Sequence, residues 1–347
     1  MNVIISQYRQ FLTKGNTGAA FVENITAQLC HQYPNNSFFV LSYDKKEHMH
    51  NLPPNAQSIS FSVPHIIPPL ALWQYRLKLK KLARQLQADA IVHIDDYISI
   101  PVVKEWLLLR APGNSRPDFL QSLSGIITLS LGIKNILAKN GIDASRIKVM
   151  RCFAGALFKP ADWDTREQNK QHFAEGKEYF LFNAENAAHT HLLNMLKGFS
   201  ILKKWLKTGI KLIIINAALN SKLDALLNTY KYKGDVSILE DTGSKAYTDL
   251  LASAFAFIYI PQSSKNGLPL LEAMQCAVPV ITCSNDFFVE LGSDAVMYIN
   301  PDSEQDIGEK LIKIYKDEKT RTLLVQKSEA QLQLLKENAD KAVLGNG

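Results

Sequence analysis

The feature that most limits the fold is an alternation. Apolar runs of strand length are separated by longer stretches of helical periodicity, from residue 2 to residue 337. Repeated βα units of this kind close as parallel sheets with helices packed on their faces. In the first half, 2–6, 37–42, 90–94, 106–109, 126–129 and 147–150 read as strands. Helical patterns follow Gly15-Asn16-Thr17-Gly18 through Leu29, and cover 70–86 and 133–140. Residues 161–177 are polar and charged, and read as a linker. The alternation then restarts, with strands at 179–182, 211–215, 236–239, 255–260, 279–283 and 296–299. Helices are expected at 191–206, 222–230, 245–252, from Leu268-Pro269 onward, from a Ser303 cap with Asp306 at the capping-box position through 315, and at 318–337. The expectation is an α/β chain of two Rossmann-like doubly wound domains, 1–160 and 178–347, joined by 161–177.

Bulk properties exclude several classes. A net charge of +6 over 347 residues suits an anionic small ligand or an anionic membrane surface, and is no nucleic-acid signature. Cys30, Cys152, Cys276 and Cys283 form no CxxC or Cys/His cluster, so neither a zinc site nor a disulfide scaffold is expected. Cys276 and Cys283 read as packing residues. The first residues lack a basic, then apolar, leader, and no run reaches the roughly 18 apolar residues of a membrane span. The localisation expected is cytoplasmic. Residues 70–86 carry Trp73 and Tyr75 among Arg76, Lys78, Lys80, Lys81 and Arg84. That pattern reads either as a helix lying on the inner membrane face or as a solvated face.

The most informative stretch is Pro261-Gln262-Ser263-Ser264-Lys265-Asn266-Gly267-Leu268-Pro269-Leu270-Leu271-Glu272-Ala273-Met274. It runs from an apolar strand through a small polar loop into a helix with Pro near its first position. The free N–H groups and dipole of such a helix start favour a phosphate or a polarised sugar oxygen. Gly267 is expected to allow close approach of a ligand. The Glu272 carboxylate is placed to accept hydrogen bonds from ribose hydroxyls.

Gly267 through Met274, with Val278-Pro279-Val280-Ile281, resembles the donor-site signature of family-four glycosyltransferases. Residues 247–254, Glu290-Leu291-Gly292 and Asn300-Pro301-Asp302 are similar to the segments flanking that signature. Residues 147–160 are similar to the family's interdomain crossover, and Gly15 and Gly18 sit where it has a glycine-rich loop. The resemblance implies a retaining GT-B enzyme, two domains facing across a cleft, that moves a sugar from a nucleotide diphosphate sugar to a hydroxyl of a glycan or lipid-linked acceptor. It implies no cofactor and no metal. The donor residues implied are Gly15, Gly18, His189, Ser264, Lys265, Asn266, Gly267, Leu268 and Glu272.

Three positions depart from the family. Ser264 stands where the family has a Glu that touches the donor sugar, and His189-Thr190 where it has an Arg-Lys pair for the diphosphate. Arg110-Ala111-Pro112-Gly113 stands where a family His approaches the reacting centre. Lys14, Lys197, Lys265 and His189 are the cations available as substitutes. His93 and Asp95, at the end of the 90–94 strand, are the acceptor-side and catalytic candidates, with a structural histidine as the other reading of His93. Two alternatives stand beside the transferase: a degenerate relative acting as a binding or partner subunit, and a two-domain nucleotide-sugar epimerase.

Overall fold

The computed structural model describes residues 1–7, 19–42, 52–61, 68–95, 99–100, 102–110, 120–151, 153–185, 187–217, 227–239, 243–262, 267–339 and 343–344. The chain forms two compact units, Met1–Cys152 with Ala339–Gly347, and Phe153–Asn338.

In the first unit the strands are β1 (Asn2–Ser6), β2 (Ser37–Ser42), β3 (Ala56–Ser60), β4 (Ala90–Ile94), β5 (Lys104–Leu109), β6 (Gly125–Thr128) and β7 (Ile147–Val149). The helices are α1 (Ala19–Gln32), α2 (Pro68–Gln85) and α3 (Leu131–Lys139). The sheet order is β3-β2-β1-β4-β5-β6-β7, parallel throughout. Strand β3 escapes a sequence reading because Ala-Gln-Ser-Ile-Ser is a polar edge with no apolar run. Helix α2 buries Tyr75, Leu79 and Ala83, spaced by four, against Ile4, Phe39, Phe61 and Ile91.

The second unit holds α4 (Trp163–Ala174), β8 (Tyr179–Asn183), α5 (His189–Leu206), β9 (Lys211–Ile215), β10 (Val236–Leu239), α6 (Gly243–Ala252), β11 (Ala256–Tyr259), α7 (Leu268–Gln275), β12 (Val280–Cys283), α8 (Asp286–Gly292), β13 (Met297–Ile299), α9 (Glu304–Lys316) and α10 (Glu318–Glu337). Its parallel sheet runs β10-β9-β8-β11-β12-β13. This is the doubly wound order, which reverses direction between the unit's first and fourth strands. Strands β8 and β9 and most of β11 are buried on both faces, which is why they read as unbroken apolar runs.

Two expected boundaries change. The polar stretch 161–177 is not a free linker. It carries α4, capped by Asp162, whose carboxylate accepts from Thr165 N at 2.8 Å. Asn169 of α4 donates to Ser253 Oγ at 2.9 Å and Asp249 O at 3.3 Å, so α4 is held on α6 by polar contacts that hydropathy cannot register. The chain end also belongs to the first unit, where Val343 and Leu344 are buried and Leu344 N donates to Tyr33 Oη at 2.8 Å. The expected helix at 222–230 is described only at its end, where 227–229 are helical. Ser303 caps α9 as expected, accepting from Asp306 N at 3.2 Å. The Asp306 carboxylate turns instead to Asn300 N, at 2.7 Å.

Helices α5 and α9 cross at glycines. A Cβ on Gly198 would stand 2.5 Å from Ile307 Cγ2, and one on Gly308 would stand 2.8 Å from Ile201 Cβ. Gly198→Ala is therefore expected to destabilise the second unit by about 1–3 kcal/mol through overpacking. Urea unfolding followed by circular dichroism checks this, and an unchanged midpoint would show that the contact relaxes freely.

Candidate functional site

Ligands of doubly wound sheets gather beyond the carboxyl ends of the strands, at the switch in strand order. In the second unit that switch lies between β8 and β11. Asn183 and Tyr259 end these strands and are register partners, so their side chains share a face of the sheet. Asn183 Oδ1 accepts from Glu185 N at 2.9 Å and from Asn216 Nδ2 at 3.1 Å. Asn216, at φ 55°, takes the left-handed conformation that asparagine tolerates better than most residues.

Glu272 is 7% exposed, set among Leu270, Leu271, Ala273 and Met274, which are also buried. Tyr247 of α6 donates its phenol to Glu272 Oε2 at 2.8 Å. Burial pushes the carboxyl up from 4.5 to about 7; the Tyr247 hydrogen bond pulls it down, and the Glu185 carboxylate raises it further. Tyr247 is itself placed by Phe158, whose ring meets it edge-on at 5.9 Å. Phe158 O in turn accepts from Gln275 Nε2 at 2.8 Å, tying the crossover segment to α7. Cys276 and Cys283 are buried, and burial with the nearby Glu272 pushes the Cys276 thiol up to about 12.

The sequence located Glu272 and missed its surroundings. Tyr247, Tyr259, and Asn183 with Glu185 come from three other segments, and only the fold brings them together. One signal was present: a lone Glu in the apolar run Leu-Pro-Leu-Leu-Glu-Ala-Met requires a buried hydrogen-bond donor.

The other donor-side candidates divide. Gly267 is the N-cap of α7, and Leu268 opens the helix, with no side-chain cap. Packing supplies a reason for glycine beside the expected one. A Cβ on Gly267 would stand 2.2 Å from Leu291 Cδ1 and 2.9 Å from Phe287 Cε1, so α8 packing excludes a side chain there. His189 opens α5 and is exposed, as is Thr190; Ala188 supplies no side-chain cap. It is His191 that packs inward, with Nδ1 3.3 Å from Ile260 O and Nε2 3.6 Å from Asp302 Oδ1. Lys197 pairs with Glu304 at 2.8 Å on the surface. Gly15, Gly18, Ser264, Lys265, Asn266 and Lys14 lie outside the described residues.

In the first unit the two catalytic candidates are held by other residues. His93 is 1% exposed, with Nε2 3.7 Å from Glu105 Oε1. Glu105 also accepts from Ile100 N at 2.6 Å and Ser99 Oγ at 3.2 Å, anchoring that turn. Asp95 sits at φ 61°, and Arg110 engages both its oxygens: N to Oδ1 at 3.2 Å and Nε to Oδ2 at 2.6 Å. The Arg110 guanidinium stacks on Phe21, 4.6 Å from its ring centre. In the unliganded chain His93 is thus buried beside Glu105, and both Asp95 oxygens are engaged by Arg110. Among the described residues no group of His, Cys, Asp and Glu is arranged to hold a metal ion.

Residues 164–331 match the family described as glycosyl transferases group 1. The O-antigen chain mannosyltransferase RfbU of Salmonella typhimurium is 25% identical over 186 residues, 52% of this chain and 48% of that protein. The chain thus aligns with about half the length of this curated relative. Among solved structures, WaaG, a glycosyltransferase involved in lipopolysaccharide biosynthesis, is similar with a TM-score of 0.71 at 15% identity, covering 99% of this chain and 100% of that one. HepE of Anabaena, solved with UDP and glucose, is similar with a TM-score of 0.68 at 14% identity, covering 98% and 95%. The fold is the GT-B type, with two Rossmann-like parallel sheets.

The raised Glu272 carboxyl has a measurable consequence. Below pH 4.5 it is protonated in both the folded and the unfolded chain, and folding carries no penalty. Above pH 7 it is ionised in both, and the penalty reaches about 3 kcal/mol. Glu272→Gln keeps an acceptor for Tyr247 and removes the charge. The variant is therefore expected to gain stability over the parent as pH rises from 5 to 8, by up to about 3 kcal/mol. Denaturant titrations of both proteins at each pH test this, and a pH-independent difference would contradict it.

Proposed function

We infer, because residues 164–331 match the glycosyl transferases group 1 family, that this chain transfers a glycosyl group from a nucleotide diphosphate sugar to an acceptor hydroxyl in polysaccharide or glycoconjugate assembly. The observation that carries the reading is Glu272, a buried carboxylate on the helix that opens beyond the switch-point strand β11. Its Oε2 is occupied by Tyr247, which leaves Oε1 as the acceptor for ribose hydroxyls. The α5 and α7 starts, with His189, Gly267 and Leu268, serve the diphosphate and sugar, together with residues 264–266 and the loop bearing Gly15 and Gly18. The first unit takes the acceptor, where the Asp95–Arg110 pair positions the strand ends. Transfer is with retention and without a metal. The relative's O-antigen activity and the UDP held by HepE support a nucleotide-sugar donor and a glycan or lipid-linked acceptor.

The test is donor turnover across a panel of UDP and GDP sugars with lipid-linked and soluble glycan acceptors, with the anomeric configuration of the product read by NMR. Acceptor-dependent release of UDP or GDP is expected. Nucleotide binding with no turnover on any acceptor would indicate a binding subunit, and acceptor-free interconversion of the donor would indicate an epimerase. Glu272→Ala is expected to weaken UDP or GDP binding about tenfold or more, from the loss of hydrogen bonds to a charged group. Unchanged affinity by calorimetry would remove the ribose from this position.

Helix α2 supplies the acceptor side with a docking face. Away from its buried Tyr75–Leu79–Ala83 stripe it exposes Trp73 at 59% and Leu77 at 48%, beside exposed Arg76, Lys81 and Arg84, and Leu72 near its start is 39% exposed. Exposed apolar residues flanked by cations fit an anionic membrane surface, where a lipid-linked acceptor resides. No helix among the described residues is long and apolar enough to cross a membrane. The chain is expected to co-sediment with phosphatidylglycerol vesicles. Trp73→Ala with Leu77→Ala should reduce the bound fraction at least about tenfold. Equal binding to phosphatidylcholine vesicles, or none to either, would sink this placement.

A further inference from the structure

Tyr259 is fully buried, and its hydroxyl has no hydrogen-bond partner among the described residues. Its ring is fixed by its neighbours, lying edge-on to Phe288 at 5.8 Å and stacked on Phe257 at 6.3 Å. It ends β11 on the face shared with Asn183, at the edge where Glu185 and Glu272 are gathered. Both carboxylates act electrostatically on the phenol, raising its pKa beyond what burial alone does. Two phenols therefore serve one acidic cluster in different ways. Tyr247 gives its proton to Glu272 Oε2 at 2.8 Å, whereas Tyr259 gives its proton to no acceptor among the described residues.

A fully buried hydroxyl left unpaired at the carboxyl end of a switch-point strand is costly, and such groups in folded proteins are ordinarily satisfied. The chemistry that satisfies it is a group that donates to a carboxylate and accepts from a phenol at once. A vicinal diol does both: each hydroxyl has one proton to give and lone pairs to receive.

We propose that Tyr259 is a second protein ligand of the bound nucleoside diphosphate, its phenol donating to a ribose hydroxyl that in turn donates to Glu272. This rests on the donor-site reading above and adds a specificity-determining residue to it.

Tyr259→Phe keeps the ring and its packing and removes only the unpaired hydroxyl. Thermal unfolding of the variant should occur at the parent's temperature or higher. Its affinity for UDP, or for GDP where the parent binds that nucleotide, should fall about tenfold by calorimetry. The penalty should vanish with either 2′-deoxy or 3′-deoxy nucleotide, whichever lacks the contacted hydroxyl. A Phe variant that binds the nucleotide as the parent does would overturn the proposal and leave the Glu272 site standing. A penalty that persists with both deoxy nucleotides would overturn it equally, as an effect of packing. A parent chain that binds neither UDP nor GDP would overturn the donor-site reading, and this proposal with it.

Discussion

A carboxylate inside an apolar helix is the constraint around which the second unit is arranged. Glu272 is flanked by side chains that bury it, and burial drives its carboxyl to about 7. Such a charge persists in a core only if something holds it, and Tyr247 does so from α6. Tyr247 in turn is fixed by Phe158, and Phe158 by Gln275 of α7, so the support returns to the helix it serves. A stability-optimised protein would place an apolar residue at 272. Retention of the charge is intelligible when the energy it costs in the free chain is recovered on binding, the usual trade between stability and a preorganised site.

The two sheets reverse direction in the same way, yet their carboxyl edges are finished differently. In the first unit several polar groups at that edge are paired with one another. Ser6 Oγ bonds Tyr75 Oη at 2.7 Å, Glu105 holds the 99–100 turn, and Arg110 takes up both Asp95 oxygens. In the second unit Tyr247 holds Glu272, and the Tyr259 phenol has no hydrogen-bond partner among the described residues. Completed networks rigidify, whereas incomplete ones are where a ligand has something to add. At the second unit's edge the Tyr259 phenol is such a group.

The sequence was most legible where one physical cause acts alone. The buried strand 211–215 was readable to the residue because its apolar run is nearly continuous, and 236–239 and the long helix at 318–337 kept their expected bounds as well. It was least legible where tertiary contacts decide. Strand β3 is an exposed polar edge; α4 is docked through Asn169; and the seven-residue α8, set by the Asn285 cap, is too short for periodicity to reveal. Glu272 could be found from its motif, but the Tyr247 donor 25 residues earlier could not, since nothing local links them. Gly267 was located for one reason and is explained by another: Leu291 and Phe287 leave no room for a Cβ.

That difference bears on how the proposed donor would be neutralised. The resemblance places an Arg-Lys pair where this chain has exposed His189 and Thr190, and Lys197 is committed to Glu304. What remains among the described residues is backbone. Helices α5 and α7 follow the adjacent strands β8 and β11, and both begin without a side-chain cap. In a doubly wound sheet, helices that follow neighbouring strands start at the same carboxyl edge, and each start carries roughly half a positive charge. Two such ends amount to about one cation, with N–H groups free to bond phosphate oxygens. Packing that excludes a side chain at Gly267 also keeps the α7 start uncapped. For the proposed donor, the glycine would thus act through the fold as well, by leaving the helix end bare.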